Sequence, residues 1–368
     1  TRRIIMAAYI SFQPSDYYTT HIYAGDSSAP FAQTGIGFQP DTVWTKPYDY
    51  TDPIRATNSV RGGDYTIKTS SDAAEQTGWT PGAAISAWGA DGYTIGTNDG
   101  GFNSSSYNYV GWCWKGGTTS GITTNGSTTI TPAAYSFSTT AGISILKYEG
   151  NGTSAAKLAH GLGVAPQQII LKRYEASEPW GGYNIGVDAT APEDYGISLD
   201  TTGAKDDDVS YWNDTKPDTV NITFGDGGRT NESGEDFVAY VFAAKQGFSK
   251  FGKYVGNGDT AGTLGGDADG TFVYLGFRPA FVLLKQSAGT QGWLLVDSKR
   301  SPYNPTDEGL HPNANAAGDT GSDFYIDLLA NGFKIRNADA VDNGDEEPYF
   351  YLAFAEAPLV NSNGVPNN

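Results

Sequence analysis

Short apolar stretches separated by turn-forming residues run along the whole chain. Runs of about four to eight residues rich in Ile, Val, Thr, Tyr, Phe and Trp are bounded by Gly, Pro, Asn, Asp and Ser, as in strands joined by turns. β-Branched and aromatic side chains pack well on a pleated sheet, and the spacing of the turns fits two packed antiparallel sheets. Helical spacing of apolar residues is weak and predicts short helices only at 70–76 and 322–330. The pattern therefore predicts an all-β fold.

One ten-residue pattern occurs three times. Residues 37–46, 163–172 and 276–285 each begin with Gly, carry Pro three positions later and end in Lys, with an apolar stretch between Pro and Lys. Proline restricts the backbone where a turn ends, and the stretch after it has the composition of a buried strand. Each copy therefore predicts a turn, a buried strand and a lysine at the end of that strand.

A second, aromatic-rich pattern follows each copy of the first. Residues 109–114, 237–242 and 349–354 begin 69, 71 and 70 residues after the proline of the preceding pattern. Such close agreement over these distances indicates an internal repeat. Two further apolar runs correspond and end in Asn151-Gly152 and Asn257-Gly258, where Asn-Gly predicts a tight hairpin turn.

The repeat predicts three tandem, divergent β-sandwich modules of jelly-roll or lectin-like type. We place the first module at 1–116, a Thr-, Ser- and Gly-rich linker at 117–142, the second module at 143–246, the third at 247–357 and a polar C-terminal tail at 358–368. The connection between the second and third modules is minimal, so these two are expected to form a rigid pair. The longer linker predicts more freedom for the first module.

Composition and charge narrow the classes of function. The 41 acidic and 23 basic residues give a formal net charge of −18, which opposes binding to nucleic acids and to anionic membranes. Cys113 is the only cysteine, so the chain can form neither an intrachain disulfide nor a cysteine-cluster zinc site. No apolar run has the length of a membrane-spanning helix. We therefore expect no nucleic-acid partner and no membrane insertion.

No arrangement of residues predicts catalysis or a cofactor. Serine-hydrolase, nucleotide-binding and zinc-protease motifs are absent, and His21, His160 and His311 occupy unrelated positions of the three modules. His160 lies in a turn and is expected to bond to backbone groups. The Asp-Ala-Asp-Gly segment at 267–270 has the spacing of a calcium loop, but the flanking helices are missing and an ordinary turn is the preferred interpretation. No catalytic residue, cofactor or metal ligand is assigned.

Aromatic residues are the candidates for surface recognition, because sugar rings have apolar faces that can stack on an indole ring. Trp212, with Tyr211 and Asn213, lies in a polar turn peculiar to the second module and is predicted to be exposed. Trp180 is a further candidate contact. Trp293 occupies the corresponding position of the third module, however, and this recurrence favours core packing for both.

Several longer motifs carry a family resemblance. They are Ile-Ser-Phe-Gln-Pro-Ser-Asp-Tyr-Tyr (10–18), Val-Gly-Trp-Cys-Trp-Lys (110–115), His-Gly-Leu-Gly-Val-Ala-Pro (160–166), Tyr-Trp-Asn-Asp-Thr (211–215), Ser-Lys-Phe-Gly-Lys-Tyr-Val-Gly-Asn-Gly (249–258) and Ala-Asn-Gly-Phe-Lys-Ile-Arg (330–336). In these segments the chain resembles a repeat-containing family of virion proteins from phages of marine cyanobacteria and other marine bacteria. The shared motifs are structural and carry over no catalytic or binding residue. Residues 70–87 and 206–208 depart from the family pattern and are expected to form variable loops.

The resemblance implies a non-enzymatic virion structural protein of tail-fibre or spike type, with lectin-like modules, that contributes to host-surface attachment. The implied partners are other virion proteins, further copies of the chain in a homo-oligomer such as a trimer, and a glycan or protein of the host surface. The implied location is an exposed appendage or the capsid surface of the virion, after synthesis in the host cytoplasm. Two alternatives stay open: a capsid decoration or head-fibre protein, and a glycan-cleaving tail enzyme.

Overall fold

A computed structural model describes residues 12–259, 268–320 and 324–355 of the chain. We call residues 12–116, 117–246 and 247–355 the first, second and third repeats. The predicted tail at 358–368 lies outside the described residues. The fold is all-β, as predicted, and the described ranges contain a single α-helix of four residues. No helix within these ranges is long and apolar enough to cross a bilayer.

The elements are numbered in chain order. The first repeat contains a 3-10 turn (Pro14–Asp16), β1 (Tyr18–Ala24), β2 (Phe31–Thr34), β3 (Thr42–Pro47), β4 (Arg55–Asn58), β5 (Gly62–Lys68), β6 (Pro81–Gly89), β7 (Gly92–Thr97) and β8 (Asn108–Trp114). The second contains β9 (Ala134–Ser138), β10 (Ile143–Glu149), β11 (Ala156–Ala159), β12 (Gln168–Arg173), β13 (Gly181–Asn184), a 3-10 turn (Pro192–Asp194), β14 (Tyr195–Gly196), β15 (Asp206–Asp207), α1 (Val209–Trp212), β16 (Asn221–Phe224) and β17 (Asp236–Phe242). The third contains β18 (Ser249–Val255), β19 (Phe272–Tyr274), β20 (Pro279–Gln286), β21 (Leu294–Asp297), β22 (Glu308–Gly309), β23 (Asp319–Thr320), β24 (Ile326–Leu329), β25 (Gly332–Ile335) and β26 (Pro348–Ala355).

Each repeat has an inner sheet with the same arrangement of strands. The aromatic-rich strand (β8, β17 or β26) lies in the middle, between the first strand (β1, β10 or β18) and the strand that follows the Gly-x-x-Pro turn (β3, β12 or β20). The register is also the same, since Thr42 pairs with Trp114, Gln168 with Phe242 and Phe281 with Phe354. The glycine that opens each turn has a φ of +86°, +71° or +84°, a left-handed conformation that favours glycine. The two sequence patterns therefore mark neighbouring strands of one sheet.

A smaller outer sheet packs on each inner sheet. The outer sheets have the orders β2-β7-β6, β11-β16 and β19-β25-β24, so the second repeat has two strands where the others have three. Helix α1 packs against β16 in the second repeat, with the rings of Trp212 and Phe224 6.0 Å apart. Apolar residues between the two sheets form a separate core in each repeat. This two-layer packing is a β-sandwich, as predicted.

The other faces of the three inner sheets meet in one shared core. Its members come from all three repeats and include the aromatic residues Trp44, Trp112, Trp114, Tyr240, Phe242, Phe281 and Phe354. The ring of Phe354 lies 5.4 Å from those of Tyr18 and Phe242, and 5.8 Å from that of Trp114. The first repeat thus shares this core with the other two, and the prediction that it has more freedom than they do is wrong.

Polar side chains join the repeats in cyclic order. The last residue of β4, β13 or β21 is fully buried and hydrogen bonds to the aromatic-rich strand of the next repeat. The bonds are Asn58 Nδ2 to the Tyr240 hydroxyl (3.0 Å), Asn184 Nδ2 to the Tyr351 carbonyl (3.2 Å) and Trp112 Nε1 to Asp297 Oδ2 (3.3 Å). The first repeat contacts the second, the second the third and the third the first. The chain therefore closes into a ring of three sandwiches.

The predicted linker at 117–142 belongs to the second repeat instead. Its strand β9 pairs with β10, and the side chains of Ile122 and Ile130 pack on the outer core of that repeat. The Oδ2 atom of Asp41 accepts hydrogen bonds from the amides of Gly116 and Gly117, both at 3.0 Å. The prediction of a linker was wrong because Thr, Ser and Gly occur in linkers and also in strands that lie close to a neighbouring backbone.

The predicted helices and hairpins are also wrong. Residues 70–76 contain a turn and an isolated bridge, and β24 occupies the middle of 322–330. Asn151-Gly152 and Asn257-Gly258 lie where the chain passes from the inner to the outer sheet. Buried Asn231 and Asn343 accept the amides of Asn151 and Asn257 through their side-chain oxygens, at 2.9 and 3.1 Å. Contacts with distant loops, rather than a local turn, determine these corners.

Candidate functional site

The structure buries the aromatic residues predicted to be exposed. Trp212 and Tyr211 are 1% and 3% exposed, so the prediction that they form a surface contact is wrong. The indole Nε1 of Trp212 donates to the carbonyl of Tyr195 at 3.0 Å, and its ring packs between Tyr183 and Phe224. Asn213 ends helix α1 in a left-handed conformation, and its Oδ1 accepts a hydrogen bond from Ser154 Oγ at 2.7 Å. This segment stabilises the second repeat.

Trp180 lies at a contact between repeats and not at the surface. It is fully buried, and its Nε1 donates to the carbonyl of Lys68 in the first repeat at 3.0 Å. Trp293 makes the corresponding bond to the carbonyl of Ser198 in the second repeat, also at 3.0 Å. The packing role favoured by the recurrence of these tryptophans is confirmed, and the candidate surface contact at Trp180 is wrong.

The lysine at the end of each buried strand has a structural role and not the surroundings of a catalytic group. Burial lowers the pKa of Lys46, Lys172 and Lys285 to about 8, and perturbed lysines often occur at catalytic sites. Here each ammonium instead donates to backbone carbonyls, including that of the residue four positions later. Lys46 and Lys172 also bond to the preceding repeat, through the carbonyls of Asn315 (3.1 Å) and Asp72 (3.0 Å). The same arrangement in three places indicates a structural role.

The histidines form no common site. His160 is fully buried in its turn, where Nδ1 accepts the amide of Leu162 and Nε2 donates to the carbonyl of Asp218 at 3.1 Å, as predicted. Burial lowers its pKa, which keeps the ring neutral near pH 7. In the described part of the chain, no group of three or more His, Cys, Asp or Glu side chains could hold a metal ion. Asp267 of the possible calcium loop lies outside the described residues.

A polar recess of about 180 Å³ in the second repeat is the best candidate for a binding surface. Its walls come from Glu178, from Asp206, Asp208 and Tyr211, and from Arg229. These residues are far apart in the chain. Strand β15 and helix α1 place Asp206, Asp208 and Tyr211 beside the turn at 227–229. The other repeats have no counterpart of α1 within the described ranges. The sequence offered one signal, the acidic run at 206–208, and gave no indication that Glu178 and Arg229 lie beside it.

Neighbouring side chains hold the guanidinium of Arg229 in place. Its Nη1 donates to Ser198 Oγ at 3.2 Å and to the hydroxyl of Tyr211, and its Nε lies 3.6 Å from Glu178 Oε1. Burial raises the pKa of Tyr211, so its hydroxyl stays neutral. Asp208 caps α1 by accepting the amide of Ser210 at 2.8 Å, which leaves its second oxygen available to the recess.

The side chains that line the recess can both accept and donate hydrogen bonds. Three carboxylates can accept hydrogen bonds from hydroxyl groups, and one guanidinium can donate hydrogen bonds. The excess of negative charge opposes phosphate, sulfate or carboxylate ligands. A neutral, hydroxyl-rich molecule of the size of a sugar residue suits this arrangement best.

Comparison with known proteins places the chain in a family. A family model described as a domain of unknown function, DUF7483, matches residues 13–358, which are 346 of the 368 residues. No curated protein and no solved structure matches the chain. The match takes in all three inner sheets and the recess. The chain belongs to the DUF7483 family.

Proposed function

We propose that this protein is a non-enzymatic structural protein of a virion appendage, of tail-fibre or spike type, that contributes to attachment to a host surface. One observation carries the proposal. The positions that recur in the three repeats are buried and used for packing and for hydrogen bonds, which leaves recognition to the loops in which the repeats differ. Such a division between scaffold and variable loops is typical of binding proteins.

Two further features support the proposal. The sequence resembles phage virion proteins in the motifs described above, which are spread from residue 10 to residue 336. The recess beside α1 belongs to one repeat alone and suits a neutral sugar residue of a host polysaccharide.

Labelling of the protein in the intact virus particle tests its location. Electron microscopy with an antibody against the purified chain is expected to place it on the tail or on another external appendage, in a small number of copies. Label over the whole capsid surface, with hundreds of copies per particle, would instead support the capsid decoration or head-fibre alternative. Label found only after the capsid is opened would exclude both.

Incubation with host polysaccharide tests the absence of enzymatic activity. The purified protein is expected to bind host cells and to leave the length of the polysaccharide chains unchanged, as judged by size-exclusion chromatography. Shortened chains would support the alternative of a glycan-cleaving tail enzyme and contradict the proposal.

A further inference from the structure

Each repeat has a corner at which the chain leaves the first strand of the inner sheet for the outer sheet. A tyrosine hydroxyl of that first strand donates to a backbone carbonyl six residues before the aromatic-rich strand begins. The bonds join Tyr23 to Phe102 (2.9 Å), Tyr148 to Thr230 (2.7 Å) and Tyr254 to Asp342 (2.6 Å). Phe102, Thr230 and Asp342 are therefore equivalent positions of the three repeats.

The residue after each of these positions is an asparagine that holds the corner in place. Its side chain is fully buried, and its side-chain oxygen accepts a backbone amide of the corner at 2.8, 2.9 or 3.1 Å. The pairs are Asn103 with Asp26, Asn231 with Asn151 and Asn343 with Asn257. The backbone carbonyl of the asparagine accepts a second corner amide, that of Gly152 in the second repeat (2.8 Å) and that of Gly258 in the third (3.0 Å). If the loop that carries the asparagine opens, these amides become exposed to water.

The side chains at the three equivalent positions differ in chemistry. Phe102 packs in the outer core of the first repeat, and Thr230 Oγ1 donates to the carbonyl of Ser210 at 3.3 Å. Asp342 instead places a carboxyl group at this position, where it is fully buried. Its Oδ2 accepts a hydrogen bond from Asn337 Nδ2 at 3.0 Å, whereas its Oδ1 has no hydrogen-bond partner in the described part of the chain.

No cation among the described residues compensates this carboxyl group. The titratable groups that face it are Tyr254 on β18, Tyr349 on β26 and Asp339 in its own loop. Burial raises the pKa of both tyrosines, so their hydroxyls are neutral, and exposed Asp339 opposes a second negative charge nearby. Burial raises the pKa of Asp342 well above its ordinary value of 3.8, and Asp339 adds to the shift. In the closed corner the carboxyl group therefore keeps its proton.

We infer that Asp342 makes this corner a proton-dependent latch of the third repeat. The latch consists of the loop at 336–347, between β25 and β26, held against residues 256–258. It is closed while the carboxyl group carries a proton, and loss of the proton favours an open loop in which the carboxylate is hydrated. The other two repeats lack the latch, because Phe102 and Thr230 have no carboxyl group. The latch does not depend on the proposed attachment to a host.

The direction of the pH dependence follows from the two states of the loop. In the open loop Asp342 has its ordinary pKa of 3.8 and is ionised above about pH 4. In the closed corner it keeps its proton to a higher pH. Between these two pKa values, each pH unit therefore raises the equilibrium constant for opening about tenfold. The corner of the third repeat is tightly closed in acid and opens more often as the pH rises.

Amide hydrogen exchange of Gly258 reports the opening of the latch. It is measured by nuclear magnetic resonance in the full chain between about pH 5 and pH 6, relative to the intrinsic exchange rate at each pH. The protection of Gly258 is expected to fall about tenfold over this pH unit, because opening becomes about tenfold more frequent. Gly152 is the internal control. Its corner has Thr230 in place of the carboxyl group, so its protection is expected to stay constant.

A variant without the ionisable group separates the latch from the rest of the fold. Asp342→Asn keeps the shape of the side chain, and the protection of Gly258 is expected to become independent of pH in this range. Asp345→Asn removes an exposed carboxylate from the same loop and is the matched control, which is expected to keep the tenfold fall. If Asp342→Asn does not fold, Asp342→Thr serves in its place, because it introduces the residue of the second repeat.

The carbon chemical shift of the Asp342 carboxyl group gives a direct readout of its ionisation. It is expected to show no titration around pH 4 in the folded protein, and a titration there would overturn the inference. Protection of Gly258 that still falls tenfold in Asp342→Asn would also overturn it. An equal fall at Gly152 and Gly258 would indicate general unfolding of the chain and would contradict a latch in the third repeat.

Discussion

The inner sheets are alike in the three repeats, whereas the outer sheets differ from one repeat to the next. The three inner sheets share strand order and register around the aromatic-rich strand. The outer sheets contain three, two and three strands, and α1 packs on β16 in the second. The difference follows the contacts. Inner-sheet side chains that face the shared core pack against residues of other repeats, whereas outer-sheet side chains pack within one repeat. A change on that face of an inner sheet must therefore suit several neighbours at once.

The largest difference between the two regions is expected for removal of a buried phenylalanine. Phe354→Ala and Phe333→Ala each remove a fully buried ring, with an expected loss of about 3–5 kcal/mol in the free energy of unfolding. Phe354 contacts all three repeats, whereas Phe333 packs on Tyr254 and Tyr351 of its own repeat. Hydrogen exchange is therefore expected to quicken in all three inner sheets for Phe354→Ala and only in the third repeat for Phe333→Ala. Equal spread in both variants would contradict the comparison.

A smaller loss is expected where a buried lysine joins two repeats. Lys172→Met keeps the volume of the side chain but removes the ammonium that donates to the carbonyls of Asp72 and Ala176, and the carbonyl of Asp72 keeps only the amide of Glu178 as a donor. The free energy of unfolding is expected to fall by about 2–3 kcal/mol in chemical denaturation. Lys157→Met on β11 of the outer sheet is the matched control and is expected to change stability by less than about 0.5 kcal/mol. A similar loss in the two variants would show that the lysine contacts are not special.

Alkaline pH probes the buried tyrosines between the two sheets. Tyr148 and Tyr254 stack on Phe237 and Tyr349, and burial raises their pKa well above the ordinary value of 10.0. Above pH 10 the unfolded chain loses protons that the folded chain keeps, so each tyrosine makes the free energy of unfolding fall, with a slope that approaches about 1.4 kcal/mol per pH unit. The Tyr148→Phe variant lacks the contribution of Tyr148 to this slope. Its free energy of unfolding is therefore expected to fall less steeply between pH 10 and 11, as measured by chemical denaturation.

The control for this measurement is Tyr303→Phe, since the Tyr303 side chain is 83% exposed. This variant is expected to leave the pH dependence of the free energy of unfolding unchanged. Ultraviolet absorption gives an independent readout, because buried phenols ionise only as the protein unfolds. Gradual ionisation of all tyrosines in the folded protein, with no unfolding step, would contradict the prediction.

The smallest effect on stability is expected at the recess. Asp206→Ala changes an exposed side chain and is expected to alter the free energy of unfolding by less than about 0.5 kcal/mol. Under the proposed function it weakens binding to host cells by about tenfold, because a carboxylate that accepts a hydrogen bond from the ligand is lost. Asp207→Ala, at an exposed neighbour outside the recess, is the matched control. Unchanged host binding by Asp206→Ala would remove the recess from the proposed function.

The sequence was informative where local pattern and burial agree. The Gly-x-x-Pro turn, the strand after it and the aromatic-rich strand all lie where the repeat predicted. Trp180 and Trp293 recur because both reach into the preceding repeat. These positions are under strong local constraint, so chemically similar residues return at similar spacing.

The sequence failed where distant contacts determine the structure. Polar neighbours suggested that Trp212 is exposed, but the four residues of α1 turn it toward Phe224. The Thr-, Ser- and Gly-rich segment forms β9 because the space beside β10, between the first and second repeats, accepts small residues such as Ser136. Glu178 and Arg229 are separated by too many residues for any local motif to join them at the recess. Closure of the ring likewise depends on pairs such as Asn58 and Tyr240, which no single repeat contains.

Because the three sandwiches belong to one polypeptide, they cannot dissociate on dilution, and each repeat can change in sequence independently of the others. An assembly of three separate chains dissociates as its concentration falls, whereas covalently joined repeats stay together at any concentration. Three identical chains would also receive every substitution three times. In a single chain one repeat can gain a feature such as α1 while its neighbours keep the shared core intact. A threefold scaffold of this kind can present three unlike faces.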